Sequence, residues 1–262
     1  MKQPASKARE MIGIVGGVGP YAGLDLARKI LDQTEANTDQ QHLPIALLSV
    51  PEQIADRTEF LLGLTEDNPA GAISRIILDL EKLGAGVAGI PCNTAHSPRI
   101  FDAIRRNLAE AGSRIKLVHM VDEVSRFVRE HFPQIRHVGV LCTTGTHQTR
   151  VYPDCLRPHG FTVSLPDEQL QEQAVQRAIY DIDDGIKARP SPVTETARRL
   201  LAEAIEHLQA KGAEAIVLGC TEIPLAVTEK RIGQTAIVDA NLVLARALIR
   251  EVAPEKLKPF AP

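Results

Sequence analysis

The sequence has no tryptophan, and aromatic residues make up only 3% of its 262 positions. So few rings leave little for unpaired bases to stack on. Positive charge is not in surplus either: 30 Lys and Arg stand against 33 Asp and Glu, giving a net charge of −3 and a pI near 6.3. No nucleic-acid partner is expected. No apolar run approaches the roughly 20 residues that span a bilayer, so no membrane is expected as a partner. Residues 1–10 are polar, lack the apolar core of a secretory signal and read as a disordered lead-in. The four cysteines, Cys92, Cys142, Cys155 and Cys220, show no Cys-x-x-Cys spacing. They read as reduced thiols of a cytoplasmic protein rather than a disulfide framework.

What the sequence does have is a repeated unit. Gly84 lies eight residues before Cys92, and Gly212 eight before Cys220. Between them run Val87, Ala88 and Ile90 in one copy and Ala215, Ile216, Val217 and Leu218 in the other. Small polar groups follow each cysteine: Asn93 and Thr94, then Thr221 and Glu222. An amphipathic helical pattern precedes each glycine. This helix–Gly–strand–Cys unit recurs after 128 positions, while Gly13 and Gly19 recur as Gly139 and Gly145 after 126. Two nearly equal offsets point to a duplicated fold. Each copy places one thiol at the C-terminal end of a parallel strand, where open α/β sheets bind ligands.

In chain order, Ile12–Val15 reads as a buried strand, followed by a loop of Gly16, Gly17 and Gly19. Pro20 opens a helix at a position where its missing N–H is harmless. A strand at 45–50 leads to the loop 52–58, which carries Gln53, Asp56 and Arg57 and faces the same cleft. A helix near 73–83 returns to the first cysteine strand. Further elements are expected as a helix from Pro98, a strand at 115–119, a helix at 121–128, strands at 138–142 and 161–165, and a helix at 197–210. A last strand at 236–238 and a helix at 242–252 close the pattern. This alternation means α/β architecture with parallel sheets and right-handed crossovers. The expected division is 11–116 plus about 236–262 for the first domain and 117–235 for the second.

Two thiols facing one another across a cleft suit proton transfer on both faces of one carbon. An amino-acid α-proton is weakly acidic, so inversion without a cofactor needs a base on one face and an acid on the other. A thiol serves either role, because its pKa near 8.5 can be brought toward the working pH. Backbone N–H groups and the side chains of Asn93, Thr94 and Thr221 could hold an α-carboxylate and its developing charge.

Three motifs together, Gly-Gly-Val-Gly-Pro at 16–20, Pro-Cys-Asn-Thr-Ala-His at 91–96 and Gly-Cys-Thr-Glu-Ile-Pro at 219–224, resemble the aspartate/glutamate racemase superfamily, and most closely its aspartate racemase branch. The resemblance spans about 11–252. It implies two Rossmann-like domains related by a pseudo-twofold axis, a two-base mechanism without pyridoxal phosphate, no cofactor, and a homodimer. It places Cys92 and Cys220 on the catalytic pair and Asn93 and Thr94 on the α-carboxylate site. Arg57 and Lys187 fall on the basic positions that hold a side-chain carboxylate, which makes a small dicarboxylic amino acid the expected substrate. Gln53 is carried as a further substrate contact. Glu222 stands where glutamate racemases commonly have His, which points away from the cell-wall enzyme. The spacing from Tyr180 to Lys187 is longer than usual for the branch and leaves Tyr180 without an assigned role.

Blander readings apply elsewhere. Cys142 and Cys155 read as inert buried thiols, and His96 and His147 as capping or loop residues. Asp181, Asp183 and Asp184 read as a solvated face, with no ligand set that suggests a metal. Gly17-x-Gly19-x-x-Ala22 fits the loose dinucleotide fingerprint, but the second copy lacks it. A two-lobed amino-acid-binding protein is a rival from another class, and stoichiometric binding without turnover would mark it. Within the superfamily, maleate isomerisation also uses two cysteines and stays open. Keeping both thiols speaks against single-thiol decarboxylation.

Overall fold

The computed structural model describes residues 10–260. The expected lead-in, apart from Glu10, lies outside the described residues. Strands β1 (Met11–Gly16), β2 (Ile45–Ser49), β3 (Ala85–Gly89) and β4 (Lys116–Val118) form one parallel sheet in the order β2-β1-β3-β4. Strands β5 (His137–Cys142), β6 (Thr162–Ser164), β7 (Ala215–Gly219), β8 (Arg231–Ile232) and β9 (Thr235–Asp239) form a second sheet in the order β6-β5-β7-β9-β8. Of these nine strands only β8, an edge strand the sequence reading missed, runs antiparallel to its neighbour. The chain is thus an α/β protein with two parallel-sheet domains.

The helices are α1 (Pro20–Gln33), α2 (Arg57–Leu62), α3 (Ala70–Lys82), α4 (Pro98–Glu110), α5 (Met120–His131), α6 (Thr144–Gln148) and α7 (Val151–Leu156). Then α8 (Glu168–Leu170), a π-helical turn (Gln171–Gln176) and α9 (Arg177–Tyr180) run on without a break, followed by α10 (Glu195–Ala210) and α11 (Ala240–Val252). Among the described residues, no helix is long and apolar enough to cross a membrane.

The repeat is legible in the packing. In α3, Ile73, Ile76, Ile77 and Leu80 are buried at helical spacing, and the chain leaves it through Gly84 at φ 100°. In α10, Ala197, Leu201, Ala204 and Leu208 do the same, and the chain leaves through Gly212 at φ 88°. That left-handed exit is why both positions are glycine. Gly13 of β1 lies against Leu80 and Ala85, where an added Cβ would come within 3.3 and 3.1 Å. Gly139 of β5 lies against Leu208 and Ala213 at 3.1 Å each. Both partner pairs are separated by 128 positions, so the offset seen in sequence is one of equivalent contacts.

Helices α3 and α4 cover the outer face of the first sheet, and α10 with the α8–α9 segment covers the outer face of the second. The inner faces share one core, to which α1, α5, α7 and α11 contribute Leu26, Val124, Tyr152 and Leu244. The expected domain boundaries shift accordingly. Strand β4 pairs with β3, so the first sheet runs through Val118 rather than ending at 116. Strand β9 pairs with β7 and stays in the second sheet; α11 passes back to pack on α1, α5 and β3, and the segment after it follows, with Leu257 bridged to Thr34 and the Lys258 N–H donating to the Gln33 carbonyl. The apolar run at 236–238 had no signal for its sheet, because a buried central strand fits either one.

Candidate active site

The strand ends of the two sheets meet. The loop after β3 carries Cys92, Asn93 and Thr94, and the loop after β7 carries Cys220, Thr221 and Glu222. All six are buried, with Cys92 at 7% and Cys220 at 5% exposure. Thr221 Oγ1 donates to the carbonyl of Pro91 at 3.0 Å, tying one cysteine loop directly to the other. The Thr94 hydroxyl lies 3.1 Å from that of Thr143 and 2.9 Å from that of Thr146, where the loop after β5 turns into α6. That loop is held in turn by the π-helical turn: Gln171 donates to the Cys142 carbonyl, Thr144 N–H donates to Gln176, and Thr144 Oγ1 donates to Glu172.

Arg57 is the first residue of α2, not part of an open loop. Asp56 caps the helix by accepting from the N–H groups of Thr58 and Glu59. The guanidinium is buried and donates to the Val18 carbonyl at 2.8 Å, while its Nε has no partner among the described residues. Burial works against its charge, but Cys92, Asp56 and Tyr180 outweigh that and raise its pKa. Asn93 accepts from the Tyr152 hydroxyl at 2.6 Å, and its amide nitrogen is buried without a partner. Two buried donors left open beside Cys92 suit an anion.

The surroundings of Cys220 have the opposite character. Its Sγ donates to Glu222 Oε2 at 3.0 Å, and Glu222 Oε1 accepts from Lys187 Nζ at 2.7 Å. Burial, then Glu222, pushes the Cys220 thiol well up against the pull of Lys187. Glu222 is itself lowered: burial opposes its charge, and Lys187 overcomes burial. The Lys187 amine is raised, because Glu222 outweighs its own burial. One thiol therefore has a guanidinium for a neighbour and the other a carboxylate.

Of the residues singled out from sequence, Cys92, Asn93, Thr94, Arg57, Cys220, Thr221 and Lys187 come together here. Gln53 does not: it is exposed on a short 3-10 turn, and among the described residues no hydrogen bond ties its side chain to the cluster. Tyr180, left without a role, lies beneath Lys187 with the amine 5.2 Å from its ring centre, and its hydroxyl is 3.5 Å from that of Thr58. Sequence reasoning missed Glu222 as a working residue and missed Tyr152 altogether. The unusual residue after Thr221 was the available signal for the first; nothing local marked the second.

The bland readings fare as follows. His96 is buried, directs its Nδ1 to the Cys92 carbonyl at 2.8 Å, and is held neutral by burial, with its pKa lowered to about 3. Asp181 caps its own turn through the N–H groups of Asp183 and Asp184. The dinucleotide fingerprint meets the wrong charge: a Cβ on Gly19 would lie 2.5 Å from Glu222 Oε1, so a carboxylate sits where a pyrophosphate would approach. Among the described residues no His, Cys, Asp or Glu cluster fits a metal.

A broad specificity amino-acid racemase of Bacillus subtilis (strain 168), RacX, is 26% identical over 247 residues, covering 91% of this chain and 96% of that protein. A glutamate racemase of Deinococcus radiodurans is 27% identical over 253 residues, covering 93% and 75%. The structure of Picrophilus torridus aspartate racemase superposes with a TM-score of 0.77 at 26% identity, over 95% of this chain and 96% of that one. The sequence matches the Asp/Glu/Hydantoin racemase family over residues 15–248, from the end of β1 into α11. With both cysteine loops and every strand but most of β1 inside that span, the chain belongs to the Asp/Glu/hydantoin racemase family.

Proposed function

We propose that the chain is a cofactor-independent amino-acid racemase that prefers aspartate and accepts glutamate or a wider set. Cys92 and Cys220 act on opposite faces of Cα. The observation that carries this reading is the contrast between the two thiols, which close equivalent strands yet have neighbours of opposite charge. Glu222 keeps the proton on Cys220, so Cys92 is the base in the starting form. Cys92 takes the α-proton, Cys220 delivers its own to the other face, and the product leaves with the roles exchanged. The opposite enantiomer runs the same path in reverse.

The open amide nitrogen of Asn93, with Thr94 and Thr221, suits the substrate α-carboxylate. Arg57 suits the side-chain carboxylate. Lys187 can join it without releasing Glu222, because an ammonium has three donors and Glu222 Oε1 takes one.

The test is proton NMR in D2O with L-aspartate, L-glutamate and L-alanine, each incubated separately with reduced protein, alongside a chiral assay. Loss of the α-proton signal with appearance of the D-form is expected, fastest for aspartate. It should fall at least a thousandfold in Cys92→Ser and in Cys220→Ser. Full activity in either variant would refute the two-thiol mechanism. Turnover of maleate alone would replace it with isomerisation, and stoichiometric binding without exchange would mark a binding protein.

A further inference from the structure

Tyr152 is fully buried on α7, in the second half of the chain, yet it touches the Cys92 loop and the end of the strand that leads into Cys220. Its ring lies against Gly219, the residue before Cys220: a Cβ there would meet Tyr152 Cε2 at 2.9 Å. Its hydroxyl donates at 2.6 Å to Oδ1 of Asn93, the residue after Cys92. Burial raises the phenol's pKa, so it stays protonated.

This hydrogen bond decides which way the Asn93 amide faces. A side-chain amide has an acceptor end and a donor end of nearly the same shape. Among the described residues, the Tyr152 hydroxyl has no other acceptor for its proton. Turning the amide over would leave that buried proton unpaired and present an oxygen where the nitrogen now stands. A carboxylate approaching that oxygen would be repelled.

We infer that Tyr152 is a positioning residue that fixes the Asn93 amide with its N–H groups turned toward the substrate carboxylate. The inference rests on the racemase reading and on the role of Asn93 within it. Tyr152 touches no substrate; it acts through Asn93 and, by resting on Gly219, sets Asn93 relative to the other cysteine loop.

The test is a cycle of Tyr152→Phe, Asn93→Ala and the double variant, with KM and kcat for aspartate racemisation measured for each. The phenylalanine variant keeps the ring and its packing, and a thermal melt checks folding. Tyr152→Phe should raise KM about tenfold while kcat stays within about threefold. In the Asn93→Ala background the same change should leave KM unaltered. An equal KM penalty in both backgrounds, or a fall in kcat alone, overturns the inference and leaves the racemase reading standing. Absence of racemisation in the unaltered protein overturns both. If Tyr152→Phe fails to fold, 15N NMR of the unaltered protein decides: the Asn93 side-chain N–H pair should shift on adding L-aspartate, and no shift overturns the inference.

Discussion

Replacing Glu222 by Gln keeps its shape and removes its charge. Two buried relationships then fail together. Lys187 loses a partner at 2.7 Å, and the Cys220 thiol loses the carboxylate that accepts its proton at 3.0 Å. Breaking a buried ion pair by removing one member costs about 3–5 kcal/mol. The Lys187 side chain is 26% exposed against 7% for Glu222, so water recovers part of the charge. We expect a loss of about 2–3 kcal/mol, or about 5–10 °C in melting temperature for a chain of this size. Circular dichroism is the suitable assay, since the protein has no tryptophan to report by fluorescence. Lys187→Met together with Glu222→Gln should recover much of the loss, because no charge is then stranded.

The same variant has a pH signature. Glu222 has its pKa lowered from 4.5 in the folded protein, so on acidification the unfolded chain takes up the proton first. The stabilisation is complete above about pH 4.5 and fades as pH falls through the lower, folded value. Glu222→Gln should flatten this acid limb. At the alkaline end, losing Glu222 and freeing Lys187 both favour the Cys220 thiolate. Iodoacetamide labelling of the Cys220 peptide, followed by mass spectrometry, should then rise at lower pH than in the unaltered protein. An unchanged melt and an unchanged labelling profile would show that the carboxylate governs neither neighbour.

Two other substitutions probe what packs against the Cys220 loop. Gly19→Ala puts a methyl 2.5 Å from Glu222 Oε1 and forces the carboxylate aside; a loss of about 1–3 kcal/mol and a racemisation rate at least tenfold lower are expected by melt and chiral assay. Thr221→Val removes the hydrogen bond to the Pro91 carbonyl at 3.0 Å; a cost of about 1–2 kcal/mol is expected in urea unfolding, and no change would show that the loops are held by other contacts.

Much of this site was legible before the structure because duplication writes the same signal twice. The Gly84–Cys92 and Gly212–Cys220 intervals mark equivalent strands, and the polar residues after each cysteine follow from their place at strand ends. Arg57 was visible as a residue near a strand end, although its helix, only six residues long, was too short to show a period. The pairing of Glu222 with Lys187 was not visible. The two lie 35 positions apart, and only the closed turn in which the Ile186 and Lys187 N–H groups return to Ala178 and Ile179 brings them together. Tyr152 was hidden for a different reason: a buried tyrosine in a short helix looks like any core aromatic until its hydroxyl's partner is known.

The passage of α11 back onto the first sheet sets the timing of synthesis. Gly89, at the end of β3, lies beneath Leu244 and Leu248 of α11, where a Cβ would come within 3.2 and 2.9 Å. At roughly 5–20 residues per second, the ribosome needs on the order of 10–30 s to go from β3 to α11. Once β4 has emerged, about 27 residues after β3, the first lobe has all its strands and for the rest of that interval no α11 over Gly89. The nascent chain must shield that apolar face, by transient packing or by a chaperone, until the last helix emerges.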